Sequence, residues 1–389
     1  MTAHMNPYPH YAHMRATTPV HFNDALGVWE VYGYHDIQTV LGDAKTFSSD
    51  LSDGKMMVFM DPPRHTQFRR LVARAFTSKV VADLEPSVKA ITDELLDRVE
   101  STGRMDLVSD LAFTLPVTVI AELLGLPVAD RDKFKQWSVP AIRAAEMELM
   151  GQVPAPELTQ AVDELDAYLA DLIEKRRDTP RQDLVSGLLA AEVEGEKLTL
   201  QEVASTCRLL LIAGFETTAN LIGNTLQLLL SHPKALAQLI ADPGLLPSAI
   251  EEALRFNTPF QFFARIAKCD VVLGGQLIKA GQQVMTFNAS GNRDESAFPH
   301  ADSFDITRTV NRHLSFGHGI HYCLGAGLGR LEARVAIATL LRRFSGLRLD
   351  EQRAAEPLSS FVLFGFSSLP VRFEASEVTS EVVGGLNVE

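Results

Sequence analysis

The chain has 389 residues, of which 46% are hydrophobic and 22% are charged, and its formal net charge is −13. This apolar content excludes a disordered or low-complexity protein. The acidic balance disfavours nucleic acid as a partner, because phosphate binding needs a basic surface. Three cysteines cannot form a disulfide framework in a chain of this length, so a reducing compartment is expected.

The sequence predicts neither a signal peptide nor a membrane span. The most apolar stretch, 203–230, carries Arg208 and Glu216 among other polar residues. A lipid-facing helix would not tolerate that polarity. We therefore expect a cytoplasmic protein.

The predicted elements are mostly helices. Hydrophobic patterns predict a strand at 28–32, helices at 35–41, 61–76 and 84–99, a mobile helix–loop region at 137–156, and helices at 158–177 and 184–194. One long helix is predicted from Thr199 to Ser231, since Thr199 and Glu202 form a capping box and a proline follows His232. Strands are then predicted at 266–273, 276–278 and 283–287, followed by a helix at 327–344 and strands at 361–364 and 369–373. The expected fold class is mainly α with a small β portion (α+β).

The most informative segment runs from Phe316 through Cys323 to Gly325, with sequence FGHGIHYCLG. Its glycines allow a tight loop, and the helix N-terminus that follows stabilises a thiolate. A zinc site would lack a second cysteine, and the sequence singles out no base for a cysteine nucleophile. A metal-bound Cys323 is therefore favoured, while Cys207 and Cys269 are expected to be packing residues.

This segment resembles the haem-binding signature of the cytochrome P450 family, with matches at Phe316, Gly319, His321, Cys323 and Gly325. The resemblance implies a single haem domain over 1–389, with haem b between the long helix and the cysteine loop. It further implies that Cys323 ligates the iron, that His321 binds a haem propionate, and that O2 is a co-substrate.

Two more segments match the family in the same order. Ala213-Gly214-Phe215-Glu216-Thr217 resembles the oxygen-activating motif, in which Glu216 and Thr217 would be the acid–alcohol pair. From the residues alone a structural role for that pair is equally acceptable. His65 and Arg69 lie one helical turn apart and, with Arg265, resemble the family's propionate ligands.

Glu252 and Arg255 share one helix face and match the family's Glu-x-x-Arg pair, which implies a structural clamp on the cysteine loop. Either Arg308 or His313 could be its third member. The sequence does not decide between them.

The resemblance implies a monooxygenase that hydroxylates or epoxidises a hydrophobic small molecule such as a fatty acid, terpenoid or steroid. The alternatives left open are a peroxide-driven peroxygenase and a haem-binding sensor or carrier without turnover. The apolar positions that match the family's substrate pocket are Met57, Val58, Leu209, Phe260, Phe262, Val362 and Leu363.

Electrons are expected from a separate donor, either a ferredoxin with its reductase or a flavodoxin-type protein, acting on a monomer. Residues 64–79 carry five basic side chains and no acidic one, and residues 330–343 carry four basic side chains against Glu332. Both segments would flank the cysteine, which predicts a positive patch for an acidic donor. Ordinary surface charge is the competing interpretation.

Overall fold

The computed structural model describes residues 6–51, 56–127, 130, 133, 136–137, 139–141, 143–144, 147, 152–193 and 195–375. The α-helices of this part of the chain are α1 (Tyr8–Thr17), α2 (Tyr34–Gly42), α3 (Arg64–Ala75), α4 (Ser78–Asp83), α5 (Glu85–Asp97), α6 (Thr114–Leu123), α7 (Pro156–Asp178), α8 (Leu184–Ala190), α9 (Leu200–Gly214), α10 (Glu216–Ser231), α11 (Pro233–Ala241), α12 (Leu246–Phe256), α13 (Asn288–Gly291) and α14 (Ala326–Arg343). The strands are β1 (Val20–Asn23), β2 (Val28–Val31), β3 (Phe47–Ser48), β4 (Arg104–Asp106), β5 (Glu192–Val193), β6 (Glu196–Lys197), β7 (Phe263–Ala267), β8 (Val271–Leu273), β9 (Gln276–Ile278), β10 (Gln283–Thr286), β11 (Phe344–Leu349), β12 (Glu356–Pro357), β13 (Phe366–Ser368) and β14 (Pro370–Ala375).

The largest hydrophobic core lies among the helices. Leu115 of α6, Leu211 of α9, Ile222 of α10 and Ile337 of α14 are each 0% exposed and belong to one cluster. Burying such side chains stabilises the fold by about 1.5–3 kcal/mol apiece. The helices carrying the Glu216 and Cys323 segments are therefore held in one apolar core, and the predicted mainly α fold class with a small β portion is confirmed.

The sheets join distant parts of the chain. The five-stranded sheet has the order β1-β2-β10-β7-β3, in which β10 runs parallel to β2 and antiparallel to β7. Val284 lies opposite Trp29 on one side and opposite Arg265 on the other. A second sheet, β11-β14-β4, pairs Arg104 with Arg372. Arg265 thus lies on a central strand whose position is set by both neighbours.

The prediction of one uninterrupted helix from Thr199 to Ser231 is wrong. The capping box at Thr199 and Glu202 is present, but Phe215 separates α9 from α10 with φ −102° and ψ −44°. At this point the hydroxyls of Thr217 and Thr218 donate to the carbonyl oxygens of Ala213 and Gly214. Side-chain hydroxyls that take up carbonyls in this way loosen a helix.

Three other boundaries differ from the sequence prediction. The helix expected at 184–194 ends at Ala190, because β5 and β6 form a hairpin immediately afterwards. The strand expected at 266–273 is two strands, since β7 belongs to the large sheet and β8 pairs with β9 instead. Residues 361–364 make only an isolated bridge between Leu363 and Phe260, because the backbone N–H groups of Val362 and Leu363 bond to Ser360 Oγ. The helix–loop region expected at 137–156 lies largely outside the described residues.

Candidate functional site

Cys323 follows a single 3₁₀ turn at Gly319–His321 and precedes α14. Its backbone N–H donates to Phe316 O at 2.8 Å. Burial raises the pKa of the Cys323 thiol, and this is opposed by the backbone N–H groups of Gly325 and Ala326 and by the cations Arg69 and Arg330. The residue nevertheless retains accessible surface. A side chain that is surrounded by protein and still accessible faces an internal space.

Two glycines shape the loop before the cysteine, Gly317 with φ +75° and Gly319 with φ +71°. A Cβ on Gly319 would lie 2.7 Å from the carbonyl oxygen of Leu41, whereas a Cβ on Gly317 would meet nothing closer than 3.6 Å. The loop therefore packs directly on the backbone at the end of α2, and only glycine fits at position 319.

Four nitrogen-rich side chains converge beside this loop. The rings of His65 and His321 lie 4.1 Å apart, and three of their ring nitrogens are buried without a hydrogen-bond partner among the described residues. Arg69 donates to Tyr322 O, and among the described residues Arg265 donates only to the carbonyl of Ala264 in its own strand.

The electrostatics of this cluster favour the binding of an anionic group. Burial, followed by the nearby Arg69, lowers the pKa of His65 to about 4. Burial, followed by His65 and Arg265, lowers the pKa of His321 to about 3. Buried donors normally have acceptors. A group presenting two carboxylates would satisfy these donors and compensate the arginines, so the residues present fit a haem.

The acid–alcohol segment lies on the helices that pack against α14. Ala213 is exposed, and Thr217 lies on the same helix face one turn later. Thr217 Oγ1 donates to Ala213 O at 2.8 Å. A Cβ on Gly329 of α14 would lie 3.4 Å from Thr218 Oγ1. The helix that follows Cys323 is thus in close contact with the helix that carries Thr217.

Gly214 and Phe215 have packing roles. A Cβ on Gly214 would lie 3.1 Å from Ile120 Cδ1, so the glycine permits the close approach of α6. Phe215 is 1% exposed and its ring packs edge-on against Phe113 with a centroid distance of 5.0 Å. The ring of Phe215 is therefore turned into the core and away from the face that carries Ala213 and Thr217.

The clamp at Glu252 and Arg255 is fully buried, and the structure identifies its third member. Arg255 Nε and Nη2 donate to the two carboxylate oxygens of Glu252 at 2.8 and 2.7 Å. Arg308 Nε donates to Glu252 Oε2 at 3.1 Å. Arg255 also binds the carbonyls of Asn292, Ala301 and Ser303. The open alternative is decided in favour of Arg308.

His313 belongs to a second ion-pair network that sequence reasoning missed. His313 Nε2 lies 3.1 Å from Glu251 Oε2, and Arg330 Nε and Nη2 donate to Glu251 at 2.7 and 2.8 Å. Arg330 also lies 4.4 Å over the ring of Phe316 and 3.3 Å from the hydroxyl of Tyr322. Burial opposes ionisation of Glu251, but its hydrogen bonds from Arg330 and His313 lower its pKa to about 2. We call Glu251, His313 and Arg330 the Glu251 network. Because His313 precedes and Arg330 follows Cys323, the network holds the cysteine loop from both sides.

The side chains predicted to line a substrate pocket lie in different environments. Met57 is buried in the main core, and Phe262, Val362 and Leu363 are buried in a cluster with Tyr11 and Phe287. Leu209 and Phe260 are half-buried, and Val58 is 39% exposed. The ring of Phe262 packs 5.2 Å from that of Phe361. Their role as pocket residues stays a prediction.

The basic patch expected around the cysteine is weaker than its residue count indicates. Several of its cations have acidic partners in the structure, namely Arg64 with Glu202, Arg330 with Glu251, Arg334 with Glu85, and Arg343 with Asp97 and Glu100. Ion pairing removes most of the long-range field of a surface charge. The sequence could not predict this, because the partners lie on other elements.

No helix in the described ranges is both long and apolar enough to cross a membrane.

Comparison with known proteins shows extensive similarity. A model of the family described as Cytochrome P450 matches residues 152–374. The vitamin D(3) 25-hydroxylase of Pseudonocardia autotrophica is 42% identical over 388 residues, which is 94% of this chain and 93% of that protein. The crystal structure of CYP109E1 from Bacillus megaterium in complex with testosterone has a TM-score of 0.88 and 40% identity, covering 94% of this chain and 99% of that one. A structure of P450BioI in complex with an acyl carrier protein ligated to hexadec-9Z-enoic acid has a TM-score of 0.88 and 38% identity, covering 96% and 99%.

Proposed function

The chain belongs to the cytochrome P450 family of haem-dependent monooxygenases, and on that premise we propose that it hydroxylates or epoxidises a lipid-like small molecule. One observation carries the proposal beyond family membership. Cys323 opens onto an internal space beside His65 and His321, three of whose ring nitrogens are buried without a hydrogen-bond partner among the described residues. A thiolate donor next to a carboxylate-binding cluster suits haem b and no simple metal ion.

We assign the cofactor contacts residue by residue. Cys323 is the iron ligand, with the N–H groups of Gly325 and Ala326 directed at its sulfur. His65, Arg69, Arg265 and His321 hold the propionates. Phe316, Gly325, Ala213 and Gly214 would be further contacts of the haem. When bound, haem supplies oxygen activation, and one oxygen atom enters the substrate while the other leaves as water.

Glu216 and Thr217 are the proposed catalytic side chains. Both are half-buried at the interruption between α9 and α10, where a carboxylate and a hydroxyl can order water. Glu216 would move protons from solvent towards the cavity, and Thr217 would position the water that receives them. The residues predicted for the rest of the lining are apolar, which would exclude bulk water from the site.

Substrate class is inferred from relatives and composition. Three of the similar proteins are described with vitamin D(3), with testosterone or with a hexadecenoyl group. Hydrophobic lining residues such as Met57, Leu209 and Phe260 suit such molecules, because they offer apolar contact and few polar groups. A fatty acid, terpenoid or steroid is the proposed substrate class.

Enzymes of this family take electrons from redox partners. We propose a ferredoxin with its reductase, or a flavodoxin-type donor, serving a monomer whose residues 1–389 form one haem domain. Many cations around Cys323 form ion pairs with acidic side chains of this chain. The positive charge that attracts an acidic electron donor would therefore come from cations outside the ion pairs described above, such as Lys79. Weak dependence of the electron-transfer rate on salt is the expected consequence.

The central test is spectroscopic. The reduced, carbon-monoxide-bound protein should show the red-shifted Soret band of a thiolate-ligated haem, and Cys323→His should abolish it. A histidine-type spectrum in the wild-type protein would overturn the ligand assignment. Hydrophobic compounds that shift the iron spin state then identify the substrate class. Thr217→Ala should impair turnover with O2 and a ferredoxin pair. If the wild-type protein turns over with peroxide alone and Thr217→Ala does so at an undiminished rate, a peroxygenase is favoured instead.

A further inference from the structure

A cleft of about 510 Å³ lies away from the cysteine loop, between α1, the end of α12 and residues 357–366. Its walls include the aromatic side chains of Tyr8, Phe256, Phe364 and Phe366. This volume is within the range of pockets that hold small organic ligands. An apolar cleft of this size is a candidate binding site if it also contains a polar group that selects a ligand.

Arg293 is that polar group. It is 7% exposed, and its guanidinium carbon lies 3.2 Å from the ring centroid of Phe256 and 4.4 Å from that of Tyr8. Its Nε donates to Phe256 O at 2.8 Å, and its Nη1 donates to Asp302 Oδ1 at 3.0 Å. Within the described chain Nη2 makes no hydrogen bond, and Arg293 is part of the cleft wall.

The charge of Arg293 is incompletely compensated. Asp302, its carboxylate partner, has a side chain that is 70% exposed, so solvent screens the pair. Burial lowers the pKa of Arg293, which means that its surroundings disfavour the cation. A buried guanidinium with unused donors and a weak counter-ion favours an anionic ligand.

We propose that this cleft binds an amphipathic carboxylate, with its head group on Nη2 of Arg293 and its apolar chain against the aromatic walls. The lining of the cleft includes neither Cys323 nor the proposed propionate ligands, so the cleft is distinct from the proposed haem contacts. Leu363 lines the cleft and is bridged to Phe260, and both residues are predicted to line the substrate pocket. A ligand in the cleft therefore touches the back of a segment that we assign to that pocket.

The test counts bound molecules by equilibrium dialysis of radiolabelled decanoate with the haem-loaded protein. Ala12 lines the cleft and is exposed on α1, so Ala12→Trp fills the cleft and leaves the Arg293 pair intact. Ala16 is exposed one turn later on the same helix and does not line the cleft, so Ala16→Trp is the matched control. Wild type and the control should bind one decanoate more than Ala12→Trp.

Head-group recognition is tested separately. Arg293→Gln should weaken binding in the cleft at least tenfold, and decan-1-ol should fail to occupy it. Equal stoichiometry in Ala12→Trp and Ala16→Trp would overturn the site, and equal binding of the alcohol would overturn the role of Arg293. The dialysis count does not depend on turnover, so failure of the proposed oxidation leaves it interpretable.

Discussion

The Glu251 network predicts that Arg330→Gln will loosen the cysteine loop. The substitution removes two charge-assisted hydrogen bonds to Glu251, of 2.7 and 2.8 Å, and the contact of Arg330 with the Phe316 ring. Breaking a fully buried pair costs about 3–5 kcal/mol and an exposed pair at most about 1 kcal/mol. The side chains of Arg330 and Glu251 are 34% and 28% exposed, which places the cost at about 2 kcal/mol.

The assay is the lifetime of the thiolate band in the reduced, carbon-monoxide-bound protein. Arg330 also lowers the pKa of Cys323, so its loss favours the protonated thiol. If loop opening limits loss of the thiolate, a cost of about 2 kcal/mol shortens the lifetime roughly 30-fold. A lifetime unchanged in Arg330→Gln would refute the positioning role.

The matched control is Arg334→Gln on the same helix. Arg334 lies one turn after Arg330 and donates to Glu85 Oε2 at 2.8 Å, with the two side chains 26% and 34% exposed. Its loss should lower the free energy of unfolding without shortening the lifetime of the thiolate band. If both variants lose the band at the same rate, the effect is one of general stability and the Glu251 network has no specific role.

Three further predictions follow from the site and the core. Gly319→Ala should reduce haem content far more than Gly317→Ala. An alanine at position 317 has only a backbone cost of about 1 kcal/mol, whereas an alanine at position 319 also collides with the backbone of Leu41. Haem absorbance per protein measures the haem content, and equal losses would contradict the packing argument. Glu332 is 0% exposed with both oxygens unpartnered among the described residues, and burial raises its pKa well above the ordinary value. Below the unfolded-state pKa the carboxyl is neutral in both states; as pH rises from there towards the raised pKa, the unfolded state ionises first and the free energy of unfolding of the wild type falls. Glu332→Gln lacks this titration, so its stability relative to wild type should increase by up to about 1.4 kcal/mol per pH unit in urea unfolding. A pH-independent difference would show that Glu332 is paired. Arg265→Leu should speed haem transfer to a scavenger about tenfold. It should also stabilise the apoprotein, since Arg265 is buried and forms no ion pair with a described residue. Lys268→Gln, on the surface just beyond the same strand, should change neither, and slower transfer in Arg265→Leu would exclude a propionate role.

Elements with strong local patterns were predictable from the sequence. The helices at 64–75, 85–97 and 326–343 begin and end within a few residues of the predicted positions, because amphipathic spacing and proline or glycine boundaries are local signals. The interruption at Phe215 was not predictable. It depends on the approach of Ile120 to Gly214 and on which carbonyls the Thr217 and Thr218 hydroxyls reach, and those contacts exist only in the folded chain.

The candidate site divides in the same way. The spacing of Cys323, His321 and Gly325 is a local motif and could be recognised directly. The choice between Arg308 and His313 as third member of the clamp could not be predicted. Both residues follow α12 at similar separations along the chain, and each contacts a glutamate of that helix. Arg308 meets Glu252 and His313 meets Glu251, and only the path of the intervening backbone decides which pairs form.

The hydrogen bond between Thr217 and Ala213 constrains what the hydroxyl offers to the cavity. A carbonyl oxygen can only accept, so the hydrogen of this 2.8 Å contact belongs to the threonine. In this rotamer the side chain presents lone pairs alone, and a molecule in the cavity that needs a donor must wait for χ1 to turn. Turning also releases the Ala213 carbonyl as a second acceptor. Rotation about χ1 would therefore exchange an acceptor for a donor, and a serine at this position, which lacks the β-branch that stiffens χ1, would rotate more freely while keeping the hydroxyl group.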